Sequence, residues 1–314
     1  MDPAATLAPP NDALHLQGAG LMLAASRHAP PGQAIAPSVL YAHGFGQTRR
    51  AWAATAQALA GHGHAGLAYD ARGHGGSDRN AEGEPYTGHQ FTDDLIVLAG
   101  EMPRPPVLVA ASMGGLFGLL AESRWPGLFR AMVLVDITPR WETAGVQRIL
   151  GFMTAFPDGF GSLEQAADSI AAYLPHRRRE GGRSPDSLRE LLRQGPDGRW
   201  RWHWDPRLVD ELARDSEQHQ DDIATATRGV RCPLLLVSGG RSDLVSERTV
   251  ADFLELAPHA HHVQLADATH MLAGDDNDRF TATVLEYLAE LDRTEGTGSS
   301  AMQRAPAPVI GADP

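Results

Sequence analysis

The sequence predicts an α/β fold: a mostly parallel central sheet flanked by helices, with an all-helical insertion between two of its strands. Three observations predict it. Short apolar runs alternate with longer amphipathic ones over residues 1–137 and again over 231–293, the pattern of a parallel sheet covered by helices. A serine sits where one such run turns directly into a helical segment, in Val107-Leu108-Val109-Ala110-Ala111-Ser112-Met113-Gly114-Gly115. From about Thr138 to Val230 the strand rhythm stops and helix-like segments replace it.

The elements follow in order. Leu14–Leu16 and Leu21–Ala25 flank Gly18 and Gly20 and read as a hairpin. Ser38–Ala42 is a strand that ends in His43-Gly44-Phe45-Gly46. Residues 48–60 place Trp52, Ala56 and Leu59 on one helical face. His64–Tyr69 is a buried strand, followed by a loop with Gly73, Gly75 and Gly76 and a helix around Phe91–Leu98. Pro106–Ala110 is the strand before Ser112, residues 113–123 are helical, and Ala131–Val135 is a strand that ends at Asp136. In the insertion, 138–230, Val146, Ile149, Leu150 and Met153 share one face, and 162–174 and 185–194 look similar. Leu234–Val237 and His262–Leu265 resume the strands, and a final helix covers about 277–291. Residues 294–314 are small, polar and Pro-rich and read as a disordered tail.

Composition narrows the function classes. The chain has 314 residues, 42% hydrophobic and 21% charged, with a formal net charge of −12. That acidity argues against nucleic acid or an anionic membrane as the partner. Cys232 is the single cysteine, so neither an intrachain disulfide nor a CxxC site can form. Residues 1–11 lack a basic n-region and a long apolar run, so no signal peptide is expected. No apolar stretch approaches the ~20 residues of a membrane span. A cytoplasmic protein acting on a small molecule is the expectation.

The chemistry centres on Ser112. A strand–turn–helix serine holds a strained backbone and presents its hydroxyl at the strand's C-terminal edge. The positions two before and two after it must be small, and Ala110 and Gly114 are. The alternative is a serine that merely caps a helix. His43-Gly44-Phe45-Gly46 lies on another strand-to-helix loop, where the backbone N–H groups of Phe45 and Met113 can converge on one negative oxygen. His270, between the last strand and the last helix, is the candidate base. Two carboxylates compete to orient it. Asp243 is favoured because it completes the chain order Ser, Asp, His, and Asp136 reads instead as an anchor for the insertion. Such a triad hydrolyses acyl bonds without metal or organic cofactor. His43, His74, Asp70 and Asp78 lack the compact spacing of a metal site.

These motifs resemble the α/β-hydrolase superfamily. The matching pieces are His43–Gly46, the run Asp70-Ala71-Arg72-Gly73-His74-Gly75-Gly76-Ser77-Asp78, Ala110–Gly115, Asp243 and His270, in the family's order over about residues 13–292. The resemblance implies the α/β-hydrolase fold, a helical cap in place of the insertion, and a structural role for Asp70 and Arg72. The sequence is similar to the branch of non-haem peroxidase-like and epoxide-hydrolase-like proteins. That branch's epoxide hydrolases and dehalogenases carry aspartate where this chain has Ser112, and a serine alkoxide suits acyl transfer. The implied activity is cleavage of a carboxylic ester, lactone or thioester. The alternatives are acyl transfer to hydrogen peroxide, hydrolysis of a carbon–carbon bond, and a non-catalytic ligand-binding receptor.

Arg199-Trp200-Arg201-Trp202-His203-Trp204 has two readings. Three indoles on one side can wall an acyl pocket, with Phe152 and Trp204 as candidate substrate contacts. Alternatively, they anchor the cap to the core, with Arg201 and His203 outside.

Overall fold

The computed structural model describes residues 14–30, 38–173, 185–210, 216–266, 268 and 277–297. Its eight-stranded sheet has the order β1-β2-β4-β3-β5-β6-β9-β10. The hairpin β1 (Leu14–Gln17) and β2 (Met22–His28) forms one edge, and β2 pairs antiparallel with β4 (Gly66–Tyr69). The remaining pairs are parallel: β4 with β3 (Val39–Ala42), then β5 (Val107–Ala111), β6 (Ala131–Val135), β9 (Leu234–Gly239) and β10 (His261–Leu265). This is the α/β-hydrolase fold.

The central strands are continuous apolar runs because both faces of the sheet are covered. In β5, Val107, Val109 and Ala111 enter the core cluster on one face, and Leu108 and Ala110 enter the cluster on the other. β6 divides the same way, with Ala131, Val133 and Val135 opposite Met132 and Leu134. The first face is covered by α1 (Ala53–Gly61), through Ala56 and Leu59, and by a C-terminal helix, Asn277–Thr297, through Phe280, Val284 and Leu288. That helix carries ordered chain past residue 293; the remainder of the expected tail lies outside the described residues. The second face is covered by α2 (Gly88–Gly100), α3 (Met113–Arg124) and two later helices, Ser216–Gly229 and Glu247–Leu256.

The insertion departs from the all-helical expectation. It holds α4 (Thr143–Thr154) and α5 (Leu163–Tyr173), which numbers the three later helices just named α6, α7 and α8. Residues 185–190 form a 3-10 helix, and β7 (Leu192–Gln194) pairs antiparallel with β8 (Trp200–Trp202). The cause is turn chemistry. Asp197-Gly198 reverses the chain, Gly198 adopts φ +78, and Gly195 N–H donates to the Arg199 carbonyl at 2.9 Å. Phe160, Leu163, Leu188, Leu192 and Trp200 then close a small core of the insertion's own. The arginine run 177–179 lies outside the described residues.

Candidate active site

Ser112 follows β5 and precedes α3, with φ +47 and ψ −119. A non-glycine residue in that region is strained by roughly 1–3 kcal/mol. The strain persists because both flanks are fixed. Ser112 N–H donates to the Val135 carbonyl at 3.2 Å, and its own carbonyl accepts from Gly115 at 2.9 Å. Gly114 explains the small-residue requirement: a Cβ there would stand 2.8 Å from the Ala42 carbonyl oxygen. Ala110, where glycine is usual, is fully buried and accommodated. The serine itself is only half-buried, open to a substrate.

The loop after β3 faces it. A Cβ on Gly44 would lie 3.1 Å from Ser112 Cβ. Among the described residues, neither the Phe45 nor the Met113 N–H has a hydrogen-bond partner. Met113 is the first residue of α3, where the helix dipole adds positive potential. Gln47 Oε1 accepts from Gly44 N–H at 3.0 Å and steadies the turn.

Three buried histidines rivet this loop to the segment 70–75. His43 Nδ1–H donates to the Gly44 carbonyl at 2.8 Å, and its Nε2 accepts from Ala71 N–H at 2.9 Å. His74 Nε2 accepts from Gly46 N–H at 3.3 Å, and its Nδ1–H donates to the Arg72 carbonyl at 3.1 Å. His203, from the cap, accepts from Gly75 N–H through Nδ1 at 2.9 Å and donates through Nε2–H to the Gly46 carbonyl at 3.2 Å. Each ring therefore needs one lone pair and one proton, which defines a neutral imidazole. Burial drives the proton affinity the same way: His43 is lowered, His74 is lowered further with its two histidine neighbours contributing, and His203 falls to about 4. Among the described residues no group of three such side chains is arranged to hold a metal. Asp70 and Arg72 do structural work beside them. Asp70 accepts from Arg49 and Gly76, and Arg72 makes a two-pronged pair with Asp94 at 2.7 and 2.8 Å.

The two carboxylates are now separable. Asp243, favoured on chain order, has a side chain 44% exposed that pairs with Arg148 of α4 at 2.6 Å. It faces the cap. Asp136 is fully buried at the end of β6, next to the strand that carries Ser112, and has φ +50. Gly239 N–H donates to its Oδ1 at 2.7 Å, and Ser242 Oγ–H donates to its Oδ2 at 2.5 Å. His270 lies outside the described residues.

The profile of the alpha/beta hydrolase family matches residues 39–283. The chain belongs to this family. It is 29% identical to the 3-hydroxybutyrate-oligomer hydrolase of Cupriavidus necator over 248 residues, 74% of this chain and 83% of that one. It is 28% identical to an esterase of Mycobacterium tuberculosis over 255 residues, 78% of this chain and 80% of that one. The crystal structure of E-2-(acetamidomethylene)succinate hydrolase superposes with a TM-score of 0.74 at 22% identity, covering 88% of this chain and 99% of its own. The protein is thus a hydrolase, and its relatives cleave esters and other bonds. Among the described residues no helix is long and apolar enough to cross a membrane.

In this hydrolase the cap contacts differ from the sequence expectation. Trp204 is buried against Phe45, with ring centroids 4.9 Å apart, and its Nε1 stands 3.8 Å from where a Gly46 Cβ would sit. Phe152 stacks on Tyr173 at 4.2 Å and meets Trp202 edge-on at 5.9 Å within the insertion. The α4 side chain that reaches the loop is its neighbour Met153, whose methyl crowds Gly46. Trp200 belongs to the cap's own core, so the three indoles serve different clusters. His203 is buried, not outside, because β8 ends at Trp202 and the chain turns inward before alternation can continue. Nothing in its local sequence pattern signals this. Asp205 and Arg207 complete the docking: Asp205 N–H donates to the Gly73 carbonyl and its Oδ2 accepts from Tyr86 OH, both within 2.9 Å, while Arg207 donates to the Asn80 carbonyl at 2.8 Å.

Proposed function

We propose that this hydrolase cleaves a carboxylic ester through Ser112 as nucleophile, His270 as general base and Asp136 as the acid that orients the base. The observation that carries the reading is the strained, half-exposed Ser112 beside two backbone N–H groups that have no partner among the described residues. The imidazole takes the serine proton as the hydroxyl oxygen attacks the carbonyl carbon. The carbonyl oxygen becomes negative and is held by the Phe45 and Met113 N–H groups. The alcohol leaves with the proton from the imidazolium, and an acyl-serine remains. Water then repeats the sequence and releases the acid. Asp136 suits the third role better than Asp243 because it is buried and already oriented by two donors, whereas Asp243 is exposed and paired with Arg148. The ester preference is supported by the relative named an esterase and by serine at a position where carboxylate chemistry would need aspartate. A cytoplasmic location fits the lone cysteine.

The test is turnover of 4-nitrophenyl esters from acetate to octanoate by wild type and by Ser112→Ala. Turnover that disappears in the variant supports the reading. Equal rates for both proteins overturn it.

A further inference from the structure

Gly46 is the pivot of the loop that carries the Phe45 N–H. Its φ of +75 lies in the region that favours glycine, so the residue could relax in several ways. It is held instead from both sides. Its N–H donates to His74 and its carbonyl accepts from His203. His74 and His43 belong to the core, whereas His203 reaches in from the cap and is 2% exposed. The same imidazole grips Gly75, so it spans the two loops that bracket the site. Its backbone is fixed in turn: His203 N–H donates to the Leu191 carbonyl at 3.0 Å, and Arg79 donates to the His203 carbonyl at 3.3 Å.

We propose that His203 is a positioning residue for the oxyanion donor: by gripping the Gly46 carbonyl from the cap, it adds to His43, which holds the Gly44 carbonyl of the Phe45 N–H's own peptide plane, in fixing that N–H. The inference rests on the ester-hydrolase reading, in which Phe45 holds the developing charge. It makes the cap part of the catalytic geometry as well as a cover. His203 touches no substrate atom. Losing it leaves the binding of ground-state ester nearly unchanged and weakens what forms only in the transition state.

The experiment uses the full chain and two variants. His203→Asn keeps a polar atom near the Nδ1 position, towards Gly75, and removes the reach to Gly46. His203→Gln returns an N–H donor near the Nε2 position. Kinetics on the best 4-nitrophenyl ester are paired with inhibition by an alkyl trifluoromethyl ketone, whose hemiketal with Ser112 carries the oxyanion. His203→Asn is expected to lower kcat about 10- to 100-fold, as small misplacements do, with KM within about threefold. The ketone's inhibition constant should rise by the same factor as kcat falls. His203→Gln should recover most of both. If His203→Asn does not fold, His203→Gln decides: near wild-type kcat and ketone affinity support the inference, and a parallel tenfold loss of both overturns it. Unchanged kcat in His203→Asn, or a fall in kcat without a matching loss of ketone affinity, also overturns it and leaves the ester reading standing. A wild type that neither hydrolyses the esters nor binds the ketone overturns both.

Discussion

Helices α3 and α4 are each 12 residues long, α3 beginning just after Ser112 and α4 reaching Gly46 of the neighbouring loop through Met153, yet they are held very differently. α3 buries seven residues, and α4 buries one, Gly145. In α3 three glycines face atoms that leave no room for a side chain: the Ala42 backbone at Gly114, Ile137 at Gly115 and Leu108 at Gly118, all at 2.8 Å or less. In α4 the glycine near the start, Gly145, lies against the Asp243 backbone, whereas Gly151 meets nothing within 4 Å. The helix behind the nucleophile is thus seated by three close contacts, on backbone at Gly114 and on buried side chains at Gly115 and Gly118, in a close-packed interior that leaves little freedom. The roof over it is set by side chains such as Met153, which adapt easily. Sequence change in α4 can reshape a pocket without moving Ser112.

The two aspartates test that division most strongly, since Asp136 belongs to the rigid side and Asp243 to the roof. Asp136→Asn is expected to lower kcat/KM by about 10³- to 10⁴-fold, the scale of losing the acid of a triad. Asp243→Asn breaks an exposed ion pair with Arg148 and should change kcat/KM by less than about threefold. Steady-state kinetics on one ester reads both. A large loss in Asp243→Asn with Asp136→Asn active would reverse the assignment.

The next largest effect is acid sensitivity where the two sides meet, at the three histidines. His203 has a folded value of about 4 against 6.5 in the unfolded chain, with burial as the leading cause. Between those values the unfolded chain binds more protons, so stability rises with pH through that window. The penalty is absent above about pH 6.5 and complete below about pH 4, amounting to ~3 kcal/mol for this residue. His43 and His74 act in the same direction. Denaturant midpoints measured from pH 7 to 4.5 should fall steadily, and less steeply in His203→Gln. A flat profile in the wild type would mean that the imidazoles are not held neutral.

What could be read from the chain follows the same division. The strands of the sheet were legible because burial on both faces leaves continuous apolar runs, as in Val107–Ala111 and Ala131–Val135. The strand–turn–helix at Ser112 was legible because the small residue at Gly114 is a local steric necessity. The different burial of the two aspartates was not, because both follow strands and burial of a carboxylate is a tertiary fact: it depends on Gly239 N–H and the Ser242 hydroxyl turning towards Asp136. The cap hairpin was missed because its strands have three residues each, too few for a period to register. His203 was misread because the alternation that placed it outside stops one residue earlier.

The finest test compares one glycine from each helix. Gly114→Ala puts a methyl 2.8–2.9 Å from the Ala42 carbonyl oxygen, carbonyl carbon and Cβ. Two of those atoms are backbone in β3, so the helix must shift, and overpacking of this kind costs about 1–3 kcal/mol. Because the shifted turn carries Met113, kcat should fall with it. Gly151→Ala in α4 meets nothing within 4 Å. Alanine is the better helix former by about 0.8–1 kcal/mol, so this change should raise stability by something under that amount and leave kcat alone. Denaturant melts with kinetics on both variants decide. Equal destabilisation would erase the contrast between the helices. Stabilisation by Gly151→Ala accompanied by a loss of kcat would sharpen it differently: α4 would then have to flex during turnover, and its sparse packing would be a requirement of the reaction.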